Sequence, residues 1–197
     1  MEVSDWDIPH DCKLVLRLEG IPAMVGLWIT ARIQRGSDPK LHFPELDPLY
    51  EVCRVVSRWN PDTAYACFGV ERGTGRVFRA HPVTPTVQVD PATEFHPARL
   101  VNSSVRQFVD CLQLVGAEYM ELFGAVSARD VSEDSPGDDE SMWAVYSKYL
   151  PLFRAADSEA FEQPESYWRH LYWMTWQEFG FRPLADGSQP FDSSGVS

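Results

Sequence analysis

The amino-acid sequence predicts an α+β fold: a single domain with a mainly antiparallel sheet, flanking helices and a helix-rich C-terminal part. Runs of strand-forming residues cluster in the first half of the 197-residue chain, and two of them are joined by a glycine-containing hairpin signal. Apolar residues at helical spacing dominate the second half. Strands and helices do not alternate along the chain, which disfavours a doubly wound nucleotide-binding sheet.

The hairpin is the most specific strand signal. The segments Thr63–Val70 (TAYACFGV) and Arg76–Ala80 (RVFRA) are rich in strand-forming residues, and a short glycine-containing segment separates them. Gly73 and Gly75 can supply the positive backbone φ angles that a tight turn requires. We therefore expect these two segments to pair as antiparallel neighbours.

Other segments of the first half carry weaker patterns. The run Val25–Ile33 predicts a strand, whereas Cys12–Glu19 and Leu49–Trp59 fit either a helix or a strand. The proline-rich stretch Gly36–Pro48 predicts a loop. The segment Val83–Val89 predicts an edge strand, because a proline within it cannot donate a hydrogen bond in a central one.

The strongest helix signal begins at Ser104. Ser104 and Gln107 have the spacing of a capping box, in which a serine at the helix N-terminus bonds to a residue three positions later. The apolar residues that follow at helical spacing on one face are Val105, Phe108, Val109, Leu112 and Val115. The pattern can continue to Phe123, although Gly116 weakens it.

The last third of the chain predicts a loop and then two helices. The polar, acidic stretch Ala128–Ser141 carries a Pro-Gly pair and predicts the loop. An aromatic helical pattern follows, which Pro151 is expected to kink or end. A second pattern starts at Pro164, a favourable first helical position, and stops at Gly180.

The length of the chain and its first residues bear on organisation and location. We expect one domain over residues 1–185 and a flexible tail over residues 186–197. The first residues lack the pattern of a signal peptide, and no stretch reaches the roughly 18 apolar residues of a membrane span. The expected protein is cytoplasmic and monomeric when free.

The net charge bears most directly on partners. The chain contains 29 acidic residues against 17 lysines and arginines, for a net charge of −12. Such a surface repels phosphate backbones and anionic membranes, so direct binding to nucleic acid or to a membrane is disfavoured. A basic protein partner is favoured because opposite charges speed encounter, although an acidic surface also serves plain solubility.

This charge is concentrated in one part of the sequence. The acidic stretch, Asp130–Glu165, contains ten carboxylates and two cations, so it carries −8 of the total −12. The plain interpretation is a solvated loop and helix face, and the alternative is a docking surface for a basic partner. The candidate partner-binding residues are Asp130, Glu133, Asp134, Asp138, Asp139 and Glu140.

No residue pattern indicates catalysis, a cofactor or a metal site. The glycines near Gly73 lack the spacing of a phosphate-binding loop, and Ser103 and Ser104 are explained as helix caps rather than nucleophiles. No two histidines have the i, i+4 spacing of a helical zinc site. The cysteines are scattered singly, and three of them lie in apolar contexts that predict small core residues; the four are Cys12, Cys53, Cys67 and Cys111.

Four segments, taken in order, resemble the fourth subfamily of the SUKH superfamily, a group of bacterial immunity proteins. They are Gly20-Ile21-Pro22, FGVERGTGRVFR, LVNSSVRQFVDCL and DSEAFEQPESYW. Members commonly show Gly-Leu-Pro near the start, Thr-Gly-x-Val in a strand-turn-strand, and Asn-Ser-Ser before a helix. The resemblance spans Cys12–Trp168 and is dense over Phe68–Leu112. Ile21 replaces the usual leucine, and Gln34–Pro48 matches no part of the pattern.

The resemblance implies an α+β fold without a cofactor, and tight binding of a cognate toxin protein made by the same or a related bacterium. An acidic chain suits a basic toxin, such as one that acts on nucleic acid. The expected protein is therefore an immunity protein of a polymorphic toxin system and not an enzyme. The alternatives are a scaffold or regulatory protein-interaction module on the same fold, and a small hydrolase that uses carboxylates or His96.

Overall fold

The structure, a computed structural model, describes residues 3–22, 29–31, 37–43, 46–56, 64–80, 98–127, 139–163, 166–169 and 171. The chain divides into two compact units, Met1–Val109 and Asp110–Ser197. The first unit contains helix α1 (His10–Leu18) and the strands β1 (Ile29–Ala31), β2 (Leu41–Phe43), β3 (Leu46–Val56), β4 (Ala64–Glu71), β5 (Val77–Ala80) and β6 (Ala98–Asn102). Helix α2 (Val105–Ser127) begins in the first unit, and the second unit contains α3 (Asp139–Ala156) and α4 (Ser158–Phe161).

The described strands form one antiparallel sheet. Five of them follow the order β1-β3-β4-β5-β6, and β2 also pairs with β3. Each pairing among these strands is antiparallel. The predicted α+β class is confirmed.

The predicted hairpin is also confirmed. Strand β4 pairs with β5 from Cys67 opposite Ala80 to Val70 opposite Val77. Gly73 and Gly75 both adopt a φ angle of 77°, which l-residues with a side chain rarely adopt. The turn is closed by hydrogen bonds from the Glu71 amide to the Arg76 carbonyl (2.8 Å) and from the Gly75 amide to the Glu71 carbonyl (3.0 Å).

The N-terminal segment before α1 contacts both the hairpin turn and strand β3. The Trp6 ring stacks on the Tyr50 ring of β3, with centroids 4.6 Å apart, and both residues are buried. The Asp7 amide donates to the Tyr50 hydroxyl at 3.0 Å. From the turn, the Gly73 amide donates to the Asp7 carbonyl at 2.7 Å and the Arg72 side chain donates to the Asp7 carboxylate at 2.8 Å. One residue of the N-terminal segment, Asp7, therefore contacts both strand and turn.

Helix α1 resolves the segment that fitted either a helix or a strand. Its buried side chains are Cys12, Val15 and Leu16, and it ends before Gly20, which adopts a φ angle of 73°. A glycine with positive φ just past a helix is the usual way for the backbone to leave it. Residues Leu49–Val56, which fitted either structure, form a strand.

Helix α2 begins at the predicted cap. The Ser104 hydroxyl oxygen accepts from the Gln107 amide at 3.3 Å, and the hydroxyl donates to the Gln107 side-chain oxygen at 2.8 Å. The Phe108 ring lies 5.2 Å from the ring of Phe68, which anchors the first turns of α2 on β4. Gly116 does not interrupt the helix, which continues to Ser127.

The predicted loop over Gly36–Pro48 is wrong in its second part. Leu41–Phe43 forms β2, and β3 begins at Leu46 and includes Pro48. The pairing of β2 with β3 shifts register between Leu41 and Phe43. Proline is tolerated at such irregularities because a ladder hydrogen bond is already missing there.

In the last third, one prediction is corrected and another is narrowed. The loop expected over Ala128–Ser141 gives way to helix at Asp139. Of the two outcomes expected at Pro151, a kink or an end, the end is wrong, because α3 runs through Pro151 to Ala156. An interior proline costs a helix about 3 kcal/mol, and burial of Tyr149 and Phe153 on either side of it offsets that cost.

Several predicted features lie outside the described residues. They are the edge strand Val83–Val89, the helix start at Pro164, its stop at Gly180 and the tail over residues 186–197. Of the predicted strand Val25–Ile33, the described residues Ile29–Ala31 form β1.

The two turn glycines provide a matched test of the contact between the turn and α1. A Cβ at Gly75 would lie 2.6 Å from the Cys12 sulfur and 3.1 Å from Cδ of Pro9, whereas a Cβ at Gly73 would meet nothing within 4 Å. Gly73→Ala should cost about 1 to 2 kcal/mol of unfolding free energy, from the positive φ alone. Gly75→Ala should cost roughly 1 to 3 kcal/mol more, from the clash. Equal urea midpoints for the two variants would contradict the contact.

The cap of α2 provides a second test. Ser104→Ala should lower the unfolding free energy by about 0.5 to 2 kcal/mol, because the Gln107 amide loses its acceptor. Ser104→Asn is the control, since asparagine caps helices as well as serine does. Denaturant unfolding measures both variants, and an unchanged midpoint for Ser104→Ala would show that another residue caps α2.

Candidate partner-binding surface

The sequence-predicted acidic residues lie partly within the described chain. Asp130, Glu133, Asp134 and Asp138 lie outside it. Asp139 and Glu140 are the first two residues of α3. Negative charge is stabilising at that end of a helix, where unpaired amides and the helix dipole present positive charge. The structure therefore places two of the six residues together, on one helical turn.

Another carboxylate of the acidic stretch has a structural role. Asp157 is buried, and its side chain accepts from the Ala160 amide at 3.2 Å, which caps α4. Its own amide donates to the Phe153 carbonyl at 3.1 Å. Asp157 therefore joins α3 to α4 and is not available to a partner. The sequence contains a signal for this role, because an aspartate directly before Ser-Glu-Ala-Phe fits an N-cap. The net charge of the stretch does not reveal it, because each of the ten acids contributes equally to that number.

The two cations of the acidic stretch differ in what they neutralise. Arg154 pairs with Glu162 at 2.6 Å, inside the stretch. Lys148 donates to both carboxylate oxygens of Glu121, at 2.7 and 3.0 Å, and Glu121 lies on α2, outside the stretch. The Tyr149 hydroxyl donates to the same carboxylate at 3.0 Å. The ion-pair partner of Lys148 therefore lies outside the stretch, whereas that of Arg154 lies inside it.

The hydrogen bonds to Glu121 also fix its protonation. They hold the pKa of the Glu121 carboxyl below its ordinary value, first through Lys148 and then through Tyr149. The same pairing raises the pKa of the Lys148 ammonium. Both groups therefore remain charged across the neutral range. As a pair on the protein surface they stabilise the fold only slightly, because water and salt screen them.

Buried carboxylates in the first unit are used within the fold. Glu51 of β3 is buried and forms a two-armed ion pair with Arg54. The Nε and Nη2 atoms of Arg54 donate to Oε1 and Oε2 of the Glu51 carboxylate, respectively. Glu71, at the end of β4, is buried and accepts from the Thr74 hydroxyl within the hairpin turn. These contacts assign both carboxylates to the stability of the sheet.

The four cysteines are buried free thiols, which confirms the prediction for the three in apolar contexts and extends it to Cys12. Burial raises the pKa of the Cys12 thiol and raises that of Cys53 well above its ordinary value. A thiol held in its protonated form is a poor nucleophile and a poor metal ligand. Within the described ranges, no three His, Cys, Asp or Glu residues are grouped in a way that could hold a metal ion.

Exposed apolar side chains occur in both units, and sequence analysis missed them. On α1, Leu14 is 39% exposed and Leu18 is 80% exposed. In the second unit, the exposed apolar side chains are Tyr119 and Met120 of α2 and Leu152 of α3. The signal for the α1 pair was its i, i+4 spacing, away from buried Cys12, Val15 and Leu16. From the sequence alone the segment fitted either a helix or a strand, so the spacing could not show that Leu14 and Leu18 lie on the same side.

Comparisons with known proteins give one match. The family model described as SUKH-4 immunity protein matches residues 1–173 of the chain. No curated protein and no solved structure matches the chain. In the part of the chain that the structure describes, no helix combines the length and apolar character needed to cross a membrane.

Asp157 tests the division between structural and partner-facing acids. Asp157→Ala should lower the unfolding free energy by about 0.5 to 2 kcal/mol, because the Ala160 amide loses its cap. Asp157→Asn removes the same charge but keeps a capping side chain, so it should unfold close to the wild type. Chemical denaturation followed by tryptophan fluorescence distinguishes the two. Equal loss in both variants would mean that the charge, and not the cap, stabilises this site.

Proposed function

Because the chain belongs to the SUKH-4 immunity protein family, we propose that it neutralises a cognate bacterial toxin by binding to it. The observation that carries this proposal is the family match over residues 1–173. The partner is a toxin domain of a polymorphic toxin system, made by the same or a related bacterium. The immunity protein acts in the cytoplasm, where it meets the toxin.

Neutralisation proceeds by binding and not by catalysis. The roles of the buried titratable groups support this part of the proposal. Glu51 is paired with Arg54, Glu71 with Thr74, and Asp157 caps a helix. The Cys53 thiol is held protonated by burial. Each of these groups already has a role inside the fold, so the chain acts through its surface.

The acidic stretch attracts the toxin. It carries −8 of the chain's −12, and its only lysine is engaged by Glu121 outside the stretch. A concentrated negative field raises the rate of encounter with a basic protein over distances near the Debye length, about 8 Å at physiological salt. A toxin that acts on nucleic acid presents such a basic surface. We therefore propose a basic toxin domain as the partner.

The direct test of the function is a pull-down of the purified chain with the toxin domain encoded by the neighbouring gene. Stable binding is expected, together with restored growth when the chain is expressed beside the toxin domain. Failure of the chain both to bind this domain and to protect cells would refute the proposal.

Neutralising the acidic stretch tests the attraction separately. The test variant changes Asp134, Asp138, Asp139 and Glu140 to the corresponding amides. Its association rate with the toxin domain at low salt should fall about tenfold, and its salt dependence should flatten. The charge-matched control changes four acids elsewhere: Asp5, Asp38, Asp47 and Asp192. Stopped-flow binding gives the rates. Equal rates for the test variant and the wild type at low salt would reject the acidic docking surface.

A further inference from the structure

The outward side of α1 carries two exposed leucines and an exposed arginine, next to the exposed Asp11. We name it the α1 surface and define it as His10, Leu14, Arg17 and Leu18. All four residues are exposed, and Leu18 at 80% is the most exposed large apolar residue described. Leu14 and Leu18 are four residues apart, so they lie one above the other on the same side of the helix. Single exposed leucines are common in proteins, but a pair in register forms a continuous apolar strip.

Helix α1, which carries the two leucines, is fixed by contacts on its buried side and at its two ends. Its other side buries Cys12, Val15 and Leu16. Its first turn packs directly against the hairpin turn, where Gly75 leaves no room for a side chain. At its far end, the Glu19 carboxylate forms a two-armed ion pair with Arg106 of α2. Because the α1 backbone is already ordered, binding to a partner causes little further loss of backbone entropy there.

Arg17 differs from four other arginines of the described chain. The guanidinium groups of Arg54, Arg72, Arg106 and Arg154 each face a carboxylate at ion-pair distance. Arg17 is exposed and has neither an ion pair nor a hydrogen bond to any part of the chain that the structure describes. Since no described carboxylate pairs with Arg17, its guanidinium can bind a carboxylate of another protein.

From these observations we propose that the α1 surface docks into an apolar groove of the toxin domain that has a carboxylate at its rim. Leu14 and Leu18 fill the groove as i and i+4 anchors, the usual arrangement when a helix is recognised by a groove. Arg17 pairs with the carboxylate, and arginine is enriched at protein interfaces for this geometry. This inference rests on the proposed function. The acidic stretch attracts basic groups of the toxin at long range, whereas Arg17 binds an acidic group of the toxin at short range.

Two variants of the α1 surface test the proposal against the toxin domain encoded by the neighbouring gene. Leu14→Ser with Leu18→Ser should raise the dissociation constant by about 30-fold or more, the loss expected of an interface hot spot. Arg17→Glu should weaken binding by about tenfold or more, because two carboxylates would then face each other. Calorimetry measures affinity, and circular dichroism with a denaturant midpoint checks that both variants remain folded.

Matched controls remove similar groups elsewhere. Met120→Ser with Leu152→Ser removes two exposed apolar side chains of the second unit, and Lys40→Glu makes the same charge change as Arg17→Glu at another exposed position. Near wild-type affinity in both controls, with loss in both α1 variants, supports the proposal. Wild-type affinity in the leucine variant, equal loss in its control, or tighter binding by Arg17→Glu overturns it while the immunity function stands. No binding by the wild type overturns both proposals.

Discussion

The packing of the hairpin turn under the N-terminal segment is the constraint on which the first unit depends. Gly75 lies where a Cβ would be 2.6 Å from the Cys12 sulfur, so only a residue without a side chain lets Pro9 and Cys12 reach the turn. Asp7 then contacts the turn through its carbonyl and carboxylate, and contacts β3 through its amide. Together these contacts fix which side of α1 is buried and which is exposed. The candidate binding surface is therefore a consequence of a turn that contains Gly73 and Gly75, far from α1 along the chain.

Neutralisation by binding, as proposed for this member of an immunity family, requires a surface that contacts the toxin. Three buried carboxylates are engaged in a cap, a turn and an ion pair; they are Asp157, Glu71 and Glu51. What remains for a partner differs between two regions. In the proposed complex, the acidic stretch attracts the toxin at a distance and in a salt-sensitive way, whereas the α1 surface binds it at contact through apolar burial and one arginine. Proteins that must capture a toxin quickly and hold it tightly need both properties, because encounter and residence depend on different forces.

The parts that the sequence predicted correctly are those decided by neighbouring residues. Positive φ at Gly73 and Gly75 and the reciprocal bonding of Ser104 and Gln107 are local chemistry, and the structure has both. Strand β2 and the beginning of β3 were missed because their prolines predict a loop, while the register shift in the pairing tolerates Pro48. The exposure of Leu14 and Leu18 could not be predicted, because it depends on packing against a distant turn. Of the six acidic candidates, two occupy the first turn of α3, and the rest lie outside the described residues.

The central claim is that this chain binds its toxin through the side of α1 that the hairpin turn holds outward. Hydroxyl-radical footprinting of the free chain and of the chain bound to the toxin domain tests it most directly, because it reports the exposure of individual side chains. Leu14 and Leu18 should be labelled in the free chain and protected in the complex, while Met120 and Leu152 should stay labelled in both. Unchanged labelling of Leu14 and Leu18 on binding, with protection elsewhere, would contradict it.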